Sequence, residues 1–203
     1  MSPPKTPQNI ANQLQEIEGL IHDLKSTIES KSKSTIEDIW SKNLDEAKEF
    51  LTWIIHKYKL RRHSASKNIF QRDIFYANLG FNIGDETSNE RPVVILQNNA
   101  GNRTSSVTIV APITTFDGST LTQDQTGKYF IEWVEDGVMK SRPLYYFEIP
   151  VQVEPNPNQN VTGVINVSQI RTISKKRLRG EFLAKITMSS KQNVDAVLPR
   201  LFR

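Results

Sequence analysis

An α+β fold is predicted, with an N-terminal helical hairpin or coiled coil followed by a small β-barrel that carries a C-terminal helix. Three observations point to it. Apolar residues at heptad spacing occupy the first third of the chain, the period changes to β alternation after residue 66, and turn-forming segments then recur at short intervals. The 203 residues, 37 % hydrophobic and 24 % charged, are enough to bury a core and too apolar for wholesale disorder. Two domains are expected, at residues 1–65 and 66–203, joined by the exposed stretch Arg61-Arg-His-Ser-Ala-Ser-Lys-Asn68.

The first helix is expected from about residue 7 to 30. Pro7 suits a first helical position after Thr6, and Ile10, Leu14, Ile17, Ile21, Leu24 and Ile28 repeat at intervals of four and three. So narrow a seam needs a partner helix. The spacing predicts a second helix after Lys31-Ser-Lys-Ser34, with Ser34 and Glu37 at capping-box separation and Ile36, Trp40, Leu44, Ala47, Leu51, Ile54 and Tyr58 on one face. A hairpin packed on itself is the simplest arrangement, and an intermolecular coiled coil is the alternative. His56, Lys57, Lys59, Arg61, Arg62 and His63 make the helix end basic, which complements the helix dipole and equally suits RNA.

Strands are expected at 74–79, 93–96, 107–110, 129–134, 145–153 and 164–167, where β-branched and aromatic residues cluster. Turn-rich segments separate them at 84–92, 98–103, 117–127 and 155–163. Short strands at this spacing suggest a small antiparallel barrel. A tight turn at Asp136-Gly137 should close a hairpin. A last helix capped by Ser189 or Ser190 would turn Val194, Val197, Leu198 and Leu201 inward, with Pro199 shortening it.

Composition narrows the chemistry. With no cysteine there are no disulfides, thiolate metal sites or cysteine nucleophile, and the only histidines, His22, His56 and His63, all precede residue 67. A site in the β domain must therefore work without imidazole or thiolate. No apolar run approaches bilayer length and the N-terminus lacks signal-peptide texture, so a cytoplasmic protein with no membrane partner is expected. The formal net charge of +4 divides as +1 over residues 1–66, −4 over 67–165 and +7 over 166–203. Arg171, Lys175, Lys176, Arg177 and Arg179 are the centre of the basic stretch, which suits either a solvated turn or nucleic-acid phosphates.

Two blocks are more specific. The first runs Asp73-Ile-Phe-Tyr-Ala-Asn-Leu, Gly84-Asp-Glu86, Arg91-Pro-Val-Val-Ile-Leu-Gln-Asn98 and Ala111-Pro-Ile-Thr114. The second is Val164-Ile-Asn-Val-Ser-Gln169-Ile-Arg171-Thr-Ile-Ser-Lys-Lys-Arg177-Leu. Together, over roughly residues 70–200, they resemble the MazF/PemK family of toxin endoribonucleases. That resemblance implies an SH3-like barrel of the MazF/CcdB kind, a homodimer, an antitoxin partner and metal- and cofactor-free cleavage of single-stranded mRNA to a 2′,3′-cyclic phosphate. It also implies that Arg91 and Thr114 carry the chemistry, with Glu86 and Gln169 at or near the site.

The residue types agree with such chemistry. Arg91 offers an always-charged planar fork for phosphate oxygens, Thr114 a hydroxyl to position the phosphate, and Glu86 a carboxylate to accept the 2′-hydroxyl proton. Gln169, Arg171, Asn98, Lys175 and Arg177 are the expected RNA-binding residues. Each has a plainer rival. Arg91 would otherwise pair with Glu86 or Glu90, Thr114 would simply end a strand, Gln169 would bond backbone in a turn, and Asn98 would shape one. A non-catalytic RNA- or protein-binding module on the same barrel is the alternative function.

Three features depart from the family pattern. Arg72 stands where a glycine is usual, the segment Phe116–Tyr145 is additional, and the helical third has no counterpart. Within the added segment Tyr129, Phe130, Trp133, Tyr145 and Tyr146 are candidates for base stacking or for core.

Overall fold

The computed structural model describes residues 7–62, 67–115, 118–155 and 161–202. The chain divides into two units, Met1–Tyr58 and Lys59–Arg203.

The first unit is made of helix α1 (Pro7–Ser32) and most of helix α2 (Glu37–Arg62). Their connection departs from the expected capping box: α2 begins at Glu37, and Ser34 Oγ instead accepts from the Ile36 N–H inside the turn at 3.2 Å. The Asn43 amide donates to the Ser32 carbonyl at 3.0 Å, which satisfies one of the orphan acceptors at the α1 C-terminus. Near the turn the seam residues Leu24, Ile28, Leu44, Ala47 and Leu51 are half-buried, whereas the N-terminal half of α1 is open. Ile10, Leu14, Ile17 and Ile21 keep 47, 56, 51 and 61 % of their surface exposed.

The second unit is built on a seven-stranded antiparallel sheet. Its path runs β10 (Leu178–Lys185), β1 (Asp73–Asn78), β2 (Glu90–Ile95), β3 (Val107–Thr114), β8 (Val164–Asn166) and β7 (Glu148–Pro150), with β9 (Arg171–Ser174) also paired to β3. Both faces of the sheet are covered, so its central strands read as continuous apolar runs. Ile74, Val94, Ala111, Ile113, Ile165 and Ile186 face one cluster, together with Val194 and Val197 of helix α4 (Met188–Val197). Phe75, Ala77, Leu79, Val93, Ile95, Val110, Ile173 and Leu178 form the other.

Several elements differ from expectation for local reasons. The stretch 145–153 contains only the three-residue β7, because a turn with the Glu148 N–H bonded to the Tyr145 carbonyl at 2.9 Å precedes it. β9 and β10 lie in the basic stretch, where outward charges hide the strand period. α4 is capped by Thr187, which accepts from Ser190 N, and the expected caps Ser189 and Ser190 lie inside the helix. Pro199 ends the helix as a 3-10 turn, Leu198–Leu201.

The added segment folds as a separate three-stranded sheet, β4 (Ser119–Gln123), β5 (Tyr129–Glu135) and β6 (Val138–Pro143). Its Asp136-Gly137 turn has both φ angles positive, +53° and +77°, as a two-residue hairpin of primed type requires. A short helix, α3 (Asn99–Thr104), joins β2 to β3.

Two tight features position the site. Arg72 adopts φ +77°, the conformation that a glycine takes without cost. Its guanidinium is held there by Glu154 and by the Ile186 carbonyl. There too a Val153–Ile186 bridge and the Glu154 N–H bonded to the Lys185 carbonyl tie the two ends of the sheet path together. At the other feature, Gly163 (φ +137°) opens β8 so close to β3 that an added Cβ would come within 2.3 Å of the Thr114 carbonyl oxygen.

Gly163→Ala should therefore separate β8 from β3 at Thr114 and cost about 1–3 kcal/mol in stability, read from urea unfolding. Gly84→Ala, also at positive φ (+59°) but with open space around it, should cost less. Equal losses would show that the close approach does not matter.

Candidate active site

The site grows from the antiparallel pairing of β2 with β3. Val93 lies opposite Pro112, Val94 opposite Ala111 and Ile95 opposite Val110. Arg91 lies two residues before Val93 and Thr114 two residues after Pro112, so both stand just beyond the same end of this pairing, and alternation puts both side chains on the face of Val93, Ile95 and Val110. Arg171 lies opposite Val110 on β9 and shares that face. Arg91, Thr114 and Arg171 thus share the face of the second apolar cluster, and all three are half-buried.

Arg91 does not make the ion pair that its sequence neighbours allowed. Glu90 lies 3.6 Å from Arg179, and among the described residues no carboxylate pairs with Arg91. Arg91 Nε donates to the Ser88 carbonyl at 3.1 Å, while both terminal nitrogens of the fork are left without a described protein partner. The Thr114 hydroxyl likewise has no described hydrogen-bond partner, although its backbone pairs with Val164.

Glu86 is exposed on the loop between β1 and β2. The loop is pinched at its neck, where the Leu79 N–H bonds the Asn89 carbonyl at 2.8 Å and the Asn89 N–H bonds the Gly80 carbonyl at 2.7 Å. Gln169, at the end of the 3-10 turn Val167–Gln169, reaches across to this loop. Its Oε1 accepts from the Thr87 N–H at 3.3 Å and from Arg171 Nη2 at 3.3 Å, and its Nε2 donates to the Asp85 carbonyl at 3.2 Å. Arg177 donates to the Leu79 carbonyl at 2.9 Å. Burial, and then the neighbouring Arg171 guanidinium, push its pKa below the ordinary arginine value.

These bonds gather the loop that carries Glu86, Arg91 through the Ser88 carbonyl, Gln169 with Arg171 through the Asp85–Thr87 backbone, and Arg177 through the Leu79 carbonyl, with Thr114 on the face that Arg91 shares. The structure does not bring Asn98 or Lys175 there. Both lie towards the other end of β3, which spans about 23 Å over seven steps. Asn98 caps α3 by accepting from Gly101 N at 2.8 Å, and Lys175 is buried with its ammonium bonded to the Asn102 carbonyl. Tyr145 and Tyr146 are exposed, but Tyr145 stacks on Phe147 and is overlaid by Arg142 at 4.6 Å, and Arg200 sits 4.8 Å over the Tyr146 ring. Glu148 grips Arg142 with both carboxylate oxygens and raises its pKa.

Sequence reasoning missed Asn82 and Ser88. The Asn82 amide donates to the Thr87 carbonyl at 2.7 Å, and its backbone N–H bonds Ser88 Oγ at 3.1 Å. The clustering of Asn, Asp, Thr and Ser in this loop is the signal, since such residues bond their own backbone in turns.

Similarity to known proteins falls on this unit. Residues 70–202 match the family described as PemK-like, MazF-like toxin of type II toxin-antitoxin system. The chain is 33 % identical over 129 residues to Endoribonuclease MazF of Staphylococcus epidermidis, covering 62 % of this chain and 84 % of that protein. It is 31 % identical over 128 residues to Endoribonuclease EndoA of Bacillus subtilis, with the same coverage, 62 % and 84 %. A crystal structure of MazF from Deinococcus radiodurans aligns with a TM-score of 0.47 at 18 % identity, over 67 % of this chain and 97 % of that one. Through residues 70–202, which contain both the sheet and the Arg91–Thr114 site, the chain belongs to the PemK-like, MazF-like toxin family of type II toxin-antitoxin systems.

Proposed function

We propose that this protein is an endoribonuclease that cuts single-stranded RNA at short sequences, without metal, by transesterification. The observation that carries the reading is Arg91: a half-buried guanidinium whose forked end has no described partner, on the face that Thr114 shares and bonded to the Glu86 loop through the Ser88 carbonyl. Family membership and the endoribonuclease names of two relatives support it.

In this reaction the Glu86 carboxylate accepts the proton of the 2′-hydroxyl, and O2′ attacks the adjacent phosphorus. The Arg91 fork and the Thr114 hydroxyl hold the non-bridging oxygens and stabilise the extra charge of the phosphorane. The bond from phosphorus to O5′ breaks, O5′ takes a proton from solvent water to become a 5′-hydroxyl, Glu86 releases its proton to solvent, and a 2′,3′-cyclic phosphate remains. Arg171 adds positive potential along the same face, where it would meet substrate phosphate.

The partners follow from the family and from the helices. A cognate antitoxin is the protein partner, consistent with the type II toxin-antitoxin description. A homodimer is the second element of the proposal, with the exposed α1 seam as a surface that a second copy would cover, since identical heptad stripes are self-complementary. Residues 1–65 then act as an assembly segment and 66–203 as the catalytic domain.

The defining experiment is incubation of the purified protein with a long single-stranded RNA in EDTA, followed by mapping of the ends. Cyclic-phosphate and 5′-hydroxyl ends at a recurring short sequence are expected, and Arg91→Ala should lower kcat/KM by about 10²–10³. Binding without cleavage, or equal cleavage by both proteins, would move the reading to a binding module. Glu86→Gln, which removes the proton acceptor and keeps the shape, should lower kcat/KM by about 10²–10⁴ on the same RNA. Separately, Leu14→Lys with Ile21→Lys should shift the sedimentation equilibrium toward monomer; an unchanged mass would show that α1 does not hold the assembly together.

A further inference from the structure

Exposed loops ordinarily give their backbone hydrogen bonds to water. The segment around Glu86 does not. The Asp85 carbonyl receives Gln169 Nε2, the Glu86 N–H bonds the Ile83 carbonyl at 3.3 Å, and the Glu86 carbonyl receives Ser88 Oγ at 3.1 Å. The Thr87 N–H goes to Gln169 Oε1, the Thr87 carbonyl receives Asn82 Nδ2, and the Ser88 carbonyl receives Arg91 Nε. Every backbone group from the Asp85 carbonyl to the Thr87 carbonyl is therefore held by protein, while the Glu86 side chain points away with no described partner.

Gln169 is the member of this set that comes from outside the loop and its flanking strand, 82 residues from Thr87. Its amide bonds the two peptide groups on either side of Glu86, one as acceptor and one as donor, as a backbone peptide would in a ladder. A primary amide carries an acceptor oxygen and a donor nitrogen on one carbon whatever the pH. The amide orientation is set by its partners: Thr87 N–H and Arg171 Nη2 both need an acceptor at Oε1, and the Asp85 carbonyl needs a donor at Nε2. Each functional atom of the side chain is thereby used by protein. Both acceptor positions of Oε1 and one of the two Nε2 hydrogens are committed to protein, and the second Nε2 hydrogen remains.

We infer that Gln169 is a positioning residue that grips the peptide groups flanking Glu86 and aims the Glu86 carboxylate, rather than a residue that reads RNA. Arg171 acts behind it by fixing the amide's orientation. The inference rests on the endoribonuclease reading for the role of Glu86, but the grip itself can be read without catalysis.

The test uses the full chain with Gln169→Ala and Gln169→Glu. Three quantities are measured: backbone amide exchange across residues 83–90, kcat and KM on a single-stranded RNA containing the mapped cleavage sequence, and Kd for its uncleavable 2′-O-methyl analogue. For Gln169→Ala, Thr87 exchange should accelerate about 10-fold or more and kcat fall about 10- to 100-fold, while Kd stays within about twofold. Gln169→Glu keeps an acceptor for Thr87 and loses the donor for Asp85, so Thr87 should stay slow while kcat falls by less than in Gln169→Ala. Slow exchange in the β1, β2 and β3 core would show both variants folded. A weakened Kd with unchanged Thr87 exchange and kcat would overturn the inference and make Gln169 an RNA contact, and so would wild-type kcat in Gln169→Glu. If the wild-type protein cleaves nothing, the nuclease reading fails, and the Thr87 exchange rate in Gln169→Ala still decides whether the grip exists.

Discussion

The register of β2 on β3 is the constraint on which the rest of the site depends. Strand side chains alternate between faces, so a slip of one residue would carry Arg91 to the opposite face and bring Val93, Ile95 and Val110 out of their cluster together. Burial on both faces prevents such a slip. Val94 and Ala111 are fully buried on one side, and Val93, Ile95 and Val110 are fully buried on the other. Hydrophobic packing thus determines that the guanidinium of Arg91 and the hydroxyl of Thr114 share one face. The close approach of Gly163 to Thr114 and the bonds that hold Arg72 at positive φ maintain that geometry at the strand ends.

Electrostatics then divides the basic stretch into distinct tasks. The +7 carried by residues 166–203 is not one phosphate-binding surface. Lys175 is consumed at the C-terminal end of α3, Arg177 holds a loop carbonyl from a half-buried position, and Arg179 lies beside Glu90. Arg171 remains on the face of the site. Two guanidiniums as near as Arg171 and Arg177 repel one another, which the lowered pKa of Arg177 registers. The fold tolerates this because each makes bonds to protein oxygen, and the resulting positive potential is what an anionic strand would meet.

Much of the architecture was legible from periodicity. The two helices, the change of period after residue 66, strands within 74–79, 93–96 and 107–110, and the Asp136-Gly137 turn follow from patterning and turn chemistry. Caps were less legible. Ser34, Ser189 and Ser190 are all chemically competent, and tertiary position selected Glu37 as the start of α2 and Thr187 as the cap of α4. β9 and β10 were hidden because their outward residues are charged and their runs are short, so pairing with β3 and β1, not intrinsic propensity, makes them strands.

The candidate site shows the same division. The sequence by itself determined which chemistry was open: no cysteine anywhere, histidine confined to the first 63 residues, and an arginine, a threonine and a glutamate in motifs that a known family shares. It also determined that the first third is helical, since a heptad seam is a property of spacing alone. Only tertiary structure decided which polar residues meet. Asn98 and Lys175 carry suitable groups, but the direction of β3 sends them to its far end. Gln169 is far from Glu86 in sequence, yet strand pairing lays its amide across the Asp85–Thr87 backbone. The physical reason is that residue type sets which bonds a side chain is able to make, whereas burial and register set which partners lie within reach.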